Sequence, residues 1–224
     1  MVIGSYFIGA FPQLLLLARL HRIEPVGDLH HALWQKAGPG WGLFASAIDV
    51  LKGIGTVWLA RVLGFDVGVV VLAALAATCG QMWPVFKHFD GEKGNTTGFG
   101  AAAAIAVWPV LLCLVPVFLA ILSKGVKALR LKNVPGGQRF KTGAGQSAAL
   151  PIGVAAAFLV LPLLSSLFHE PMGVVLGFAA LFVLVMIRRL TADLSKDLAT
   201  TASRSKIFWS RFLLDRAVGQ DAEH

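Results

Sequence analysis

With 224 residues, 56% hydrophobic and only 14% charged, the chain is too apolar for an ordinary soluble domain, which carries about 25% charged residues. Its net charge of +8 would suit nucleic acid, but the basic residues fall between long apolar runs rather than along one soluble face, which argues against that partner. Cys79 and Cys113 both lie inside apolar runs, so no disulfide framework is implied and the thiols read as small hydrophobes.

The first apolar run goes from Val2 to Leu17 and closes on Arg19, His21 and Arg22. It lacks the basic start and small-residue cleavage site of a removed signal, and reads as a span. A polar, turn-rich stretch follows from Glu24 to Gly40. The second run, Trp41 to Leu63, contains Asp49 and Lys52, three residues apart, where charge is costly unless paired. The third runs from Val67 to Trp83 and leads into a polar loop from Pro84 to Gly98. Next comes an apolar stretch from Phe99 to Leu122, broken by Pro109 and Pro116, and then a basic loop from Ser123 to Gln146. Two more runs, Ala148 to Phe168 and Met172 to Ile187, flank a turn at His169-Glu170-Pro171. The tail from Arg188 onward is polar. Its piece around Ile207 to Leu214, with Trp209, Arg211 and Phe212, reads as an amphipathic helix lying at the membrane interface.

Basic clusters decide the topology. Lys and Arg gather in the first loop, in the Pro84–Gly98 loop, in the Ser123–Gln146 loop and in the tail, while the turns near Phe65 and Glu170 are nearly free of them. If every basic segment faces the cytoplasm, an even number of crossings separates each consecutive pair. That parity splits Phe99–Leu122 into two short crossings near Pro109, where the ring disrupts the helix. The expectation is an all-α integral membrane protein of about seven transmembrane helices, some short, with the N-terminus outside and the C-terminus cytoplasmic. Residues 1–190 form its membrane domain and residues 191–224 its cytoplasmic tail.

The richest polar constellation is Gly80-Gln81-Met82-Trp83-Pro84-Val85-Phe86 followed by Phe89-Asp90-Gly91-Glu92-Lys93-Gly94-Asn95-Thr96-Thr97-Gly98. Glycines around a lysine, with hydroxyls where a helix begins, fit either a phosphate cradle or a solvated turn. In the cradle, backbone N–H groups and the ammonium would converge on an anion. The spacing is not that of a Walker loop.

The stretch GQMWPVFKHFDGEKGNTTGFG resembles the Gly-His, aromatic-Pro-Val-Phe and Gly-Gly-Lys-Gly stretch of the bacterial acyl-phosphate:glycerol-3-phosphate acyltransferases, the PlsY family. WGLFASAIDVLKG, Trp41 to Gly53, is similar to that family's second span, and SYFIGAFPQLLLLARL to its first, so the resemblance runs over essentially the whole chain. It implies transfer of a fatty acyl group from acyl-phosphate to glycerol 3-phosphate, giving lysophosphatidic acid in a bacterial inner membrane. Membrane lipids surround the enzyme, and no metal or cofactor is involved. The resemblance also implies a substrate-phosphate site with Lys93 as its leading residue, joined by Gly91, Gly94, Thr96, Thr97, Ser147 and Lys36. Gln81 stands where the family has a histidine, Glu92 where it has a glycine, and Arg189 to Ala192 near where it has His-Arg-Glu-Asn. The catalytic base is therefore not identified; His30, His31 and Arg189 are the candidates. Asp49 and Lys52 form an intramembrane polar pair that is either structural or lines the pocket. The loss of the family's proton-handling positions leaves a second reading open, a catalytically degenerate paralogue that binds anionic lipid or regulates an active enzyme.

Overall fold

The computed structural model describes residues 1–24, 29–130, 149–192, 194–199 and 203–215. Ser147 and most of the basic loop before it lie outside the described residues, as does the side chain of His31. The described residues form helices and no strands. The first apolar run gives α1 (Val2–Ala10) and α2 (Gln13–Leu20). A short α3 (Leu29–Ala32) runs into a π-helical turn (Leu33–Ala37), and α4 (Pro39–Val62) and α5 (Val67–Met82) follow. The proline-broken stretch gives α6 (Asn95–Ile105), α7 (Val107–Cys113) and α8 (Val115–Arg130). Then come α9 (Ala149–Leu167) and α10 (Met172–Thr191). In the tail lie α11 (Leu194–Ala199) and α12 (Arg204–Trp209), which ends in a π-helical turn (Ser210–Leu214).

Among the described residues, five stretches are long and apolar enough to cross a membrane: Val2–Leu20, Pro39–Val62, Val67–Lys87, Ala149–Leu167 and Met172–Thr191. Val107–Ser123 is a shorter apolar helix beside them. Large apolar side chains such as Trp58, Phe118, Leu163 and Leu176 stay largely exposed on these helices, a surface that only lipid makes tolerable. The chain is a multi-pass membrane protein. Its main core lies among α5, α6, α7, α9 and α10, built on Met82, Phe158, Leu161, Phe178 and Val185, with the Phe99 and Phe158 rings stacked at 4.1 Å.

Without a hydrophobic force between helices in lipid, close backbone approach supplies the contact. Glycines supply that approach. A Cβ at Gly53 would run into the Thr97 carbonyl, and one at Gly100 into the Val50 carbonyl, so α4 and α6 lie backbone to backbone. Gly9 against Ala77, and Gly80 against Tyr6, do the same for α1 and α5.

Two proline breaks shape the bundle. Pro12 separates α1 from α2, because a proline lacks the N–H for the i−4 bond and its ring crowds that carbonyl. The freed carbonyls of Gly9 and Phe11 accept from the Lys52 ammonium at 3.3 and 2.7 Å. Pro109 acts in the same way one turn downstream of its own break. The chain leaves helical geometry at Ala106 (φ −142°, ψ 89°), and α7 restarts with Pro109 in its first turn. There the carbonyls of Ala104 and Ile105 accept from Arg61 at 2.8 and 3.2 Å. Each broken helix is thus capped by a cation from α4, the second span.

The structure differs from the sequence reading in one further place: helix α8 continues to Arg130, so the start of the expected basic loop is helical. In the tail, Ile207 is buried and Phe212 packs against the main core, while Phe208, Trp209 and Leu213 stay exposed.

Candidate functional site

Two polar clusters meet helix α6, one at Thr97 and one at Lys93 just before its start. The first is enclosed. Asp49 is completely buried on α4. Its carboxylate accepts from the Gln13 amide, lies 2.9 Å from His30 Nε2 and 3.7 Å from Lys52 Nζ. Besides the two carbonyls of the α1–α2 break, Lys52 donates to the Gln13 side-chain oxygen and sits 6.0 Å from the Phe11 ring centroid. Thr97 Oγ1 donates to the Asp49 carbonyl at 2.9 Å, tying α6 to the same point. A charge inside a membrane must be neutralised and hydrogen-bonded to be tolerable, and here the Lys52 ammonium and the Asp49 carboxylate each have both kinds of partner. His30 hangs at the edge, its side chain 23% exposed, with Nδ1 3.5 Å from Ser46 Oγ.

The second cluster is at the rim, where α6 begins. Lys93 precedes Gly94, whose φ of +74° is a left-handed conformation suited to glycine and which leads directly into the helix. Among the described residues no side chain caps the α6 N-terminus, so its first N–H groups carry the positive end of the helix dipole without a side-chain acceptor. The Lys93 ammonium meets Asp215 of the tail, 2.9 Å from Oδ2 and 3.3 Å from the backbone oxygen. The same Oδ2 lies 4.0 Å from Arg189 Nε. Arg189 is 2% exposed and donates from Nη1 to the Pro151 carbonyl at 3.0 Å, whereas its Nη2 has no hydrogen-bond partner among the described residues. Its neighbour Arg188 turns the other way and grips the loop: it pairs with Asp90 at 2.8 Å and donates to the Gly91 and Glu92 carbonyls.

Beside the enclosed cluster opens a cavity of about 40 Å³, lined among others by Phe11, Gln13, Lys52, Gln81, Lys87 and Glu92. Gln81 is 5% exposed, and neither end of its amide has a hydrogen-bond partner among the described residues. Lys87 and Glu92 face each other at 3.8 Å on the cavity wall.

The expected site residues divide accordingly. Lys93 and Arg189, far apart in sequence, share one carboxylate. Asp49, Lys52 and His30 belong to the enclosed lattice, as does Thr97 through its hydroxyl. Gly91 serves the loop instead, since its N–H and that of Glu92 cap the last carbonyls of α5, Met82 and Gln81, both at 3.1 Å. A Cβ at Gly91 would collide with Gln81 and Pro84, so glycine is needed for the loop to tuck under α5. Thr96 is half-buried in the first turn of α6, and Lys36 is exposed on the π-helical turn before α4. Sequence reasoning missed Gln13, Arg188 and Asp215. The paired arginines read only as topology signals, and a single tail carboxylate carries no local signature.

The sequence profile described as glycerol-3-phosphate acyltransferase matches residues 1–202. Glycerol-3-phosphate acyltransferase 4 of Dehalococcoides mccartyi (strain CBDB1) is 30% identical over 97% of this chain and 88% of its own length. The glycerol-3-phosphate acyltransferase of Rubrobacter xylanophilus is 36% identical over 47% of the chain and 56% of its own. Among solved structures, the lysophosphatidic acid form of the integral membrane acyltransferase PlsY superposes with a TM-score of 0.65 at 21% identity, covering 91% of this chain and 92% of that one. The glycerol 3-phosphate form of PlsY gives 0.59 at 20% identity over the same shares. At that identity the likeness is one of fold.

Proposed function

The chain belongs to the glycerol-3-phosphate acyltransferase family, and from that membership we propose that it moves a fatty acyl group from acyl-phosphate to the 1-hydroxyl of glycerol 3-phosphate. The products are lysophosphatidic acid, for phospholipid synthesis, and free phosphate. The enzyme works in a bacterial inner membrane, with about seven crossings and its basic loops in the cytoplasm. Residues 1–190 carry the reaction and residues 191–224 form the tail.

The observation that carries this reading is the pair of cations, Lys93 and Arg189, directed at one carboxylate beside the uncapped start of α6. Both substrates bear phosphate, and two cations beside an uncapped helix N-terminus favour binding of a phosphate. In the reaction the glycerol oxygen attacks the acyl carbonyl carbon and the bond from that carbon to the phosphate oxygen breaks. Charge then builds on the departing phosphate, where Lys93 and Arg189 lower its energy. Gly94, Thr96 and the α6 N-terminus complete that seat, with Lys36 and Ser147 as further phosphate ligands. His30, oriented by Asp49, is the group assigned to take the hydroxyl proton. The enclosed Asp49–Lys52–Gln13 lattice holds α1, α4 and α6 so that these groups keep their places. The apolar helix surfaces leave room for the acyl chain to lie in lipid.

The test is direct. Purified protein in lipid nanodiscs is incubated with acyl-phosphate and labelled glycerol 3-phosphate, and lysophosphatidic acid is measured against a Lys93→Ala control. Product above that control is expected. Product at or below it removes the reading.

A further inference from the structure

The carboxylate of Asp215 occupies the place just assigned to a substrate phosphate. Resting on that assignment, we propose that Asp215 is an intramolecular competitor: the tail closes the phosphate seat in the resting enzyme and is displaced by the phosphorylated substrate, so that one residue sets the apparent substrate affinity.

Three observations carry this. The first is geometric, since one oxygen of Asp215 faces both cations and the Asp215 backbone oxygen also accepts from Lys93. An anion bound there by substrate must replace that oxygen. The second is that the tail is placed by contacts of its own. Ile207 is 4% exposed, Phe212 packs on the main core, and Arg211 donates to the Ala192 carbonyl at the end of α10. Asp215 itself sits at φ +56°, a conformation disfavoured for a residue with a Cβ and held by these surroundings. The third is incompleteness. A monocarboxylate leaves Nη2 of the buried Arg189 without a partner among the described residues. A phosphate, with higher charge and three acceptor oxygens, can engage that nitrogen together with Lys93. The side chain of Lys93 is 38% exposed, which gives an incoming anion a way to it. The tail is therefore a weaker ligand than phosphate but has the advantage of being tethered, with an effective concentration on the order of millimolar. Substrate must exceed that competitor before the seat opens.

The experiment compares wild type with Asp215→Asn and Asp215→Glu in nanodiscs. KM for glycerol 3-phosphate and for acyl-phosphate is measured alongside the rate of tryptic cleavage at the exposed Arg204. Removing the competing charge is expected to lower KM for the phosphate that binds there about tenfold, by removing the closed fraction from the apparent affinity. Asp215→Glu stays near wild type. Glycerol 3-phosphate or acyl-phosphate speeds cleavage of the wild-type tail, and Asp215→Asn is cleaved fast without either. An unchanged or raised KM in Asp215→Asn overturns the proposal, and so does wild-type cleavage that neither phosphate accelerates. Absence of acyl transfer in every variant defeats the reaction assigned above, whereas the cleavage response still decides whether the tail competes with phosphate.

Discussion

Lys52 and Lys93 are both lysines beside a carboxylate, and they do opposite work. Lys52 is 8% exposed and its ammonium is shared among the Gly9 and Phe11 carbonyls, Gln13 and Asp49, contacts that also stitch the broken first span to the second. Lys93 is partly exposed, and the groups it meets belong to a tail residue. A cation surrounded by structural acceptors stabilises the fold and has nothing left for a ligand. A cation whose partner can be exchanged is available for chemistry. Partner saturation separates the two, because residue type and local charge are the same.

Four substitutions break or sharpen this contrast, in order of expected size. Asp49→Ala leaves Lys52 buried without its carboxylate, and breaking a buried pair of this kind costs about 3 to 5 kcal/mol. The expected result is loss of folded protein or a much lower melting temperature in detergent; melting like wild type would mean that the lattice is not structural. Lys93→Ala should do the reverse. Removing a cation from a developing phosphate charge should lower kcat/KM by about a hundredfold, roughly 2.7 kcal/mol, with melting almost unchanged. A variant that melts early but turns over normally would place Lys93 with the structural group.

Gly53→Ala tests what the saturated cluster rests on. The added Cβ meets the Thr97 carbonyl, so α4 and α6 must part, at a cost of about 2 kcal/mol seen in thermal unfolding. The smallest effect belongs to Gln81, which lines the cavity beside Lys52. Its buried amide has no partner among the described residues, so Gln81→Leu should raise stability by about 1 kcal/mol in thermal unfolding. Loss of stability instead would mean that the amide is already satisfied within the fold.

Much of the scaffold was legible in the sequence, for a physical reason: a bilayer imposes a minimum apolar length and penalises unpaired charge. The long runs became α4, α5, α9 and α10 within a few residues of their expected ends. The charges of Asp49 and Lys52 had to be paired, and they are. The break expected near Pro109 lies at Ala106, because the ring blocks the carbonyl four residues earlier rather than its own position. The break at Pro12 has no such signature, since the run on both sides is apolar enough to read as continuous.

Lys93 could be singled out from its flanking glycines, and Arg189 only through a family likeness. Neither pointed to the other. Lys93 and Asp215 are separated by 122 positions, Arg188 and Asp90 by 98, and Gln13 and Asp49 by 36. The sequence by itself determined how many apolar segments there are, where prolines interrupt them and which charges could not stand alone, because each of these follows from local composition and the cost of leaving water. Which charge answers which was decided by the tertiary structure alone. Glycine-mediated contact between helices sets their depth and rotation, and those two quantities bring distant side chains within hydrogen-bonding reach.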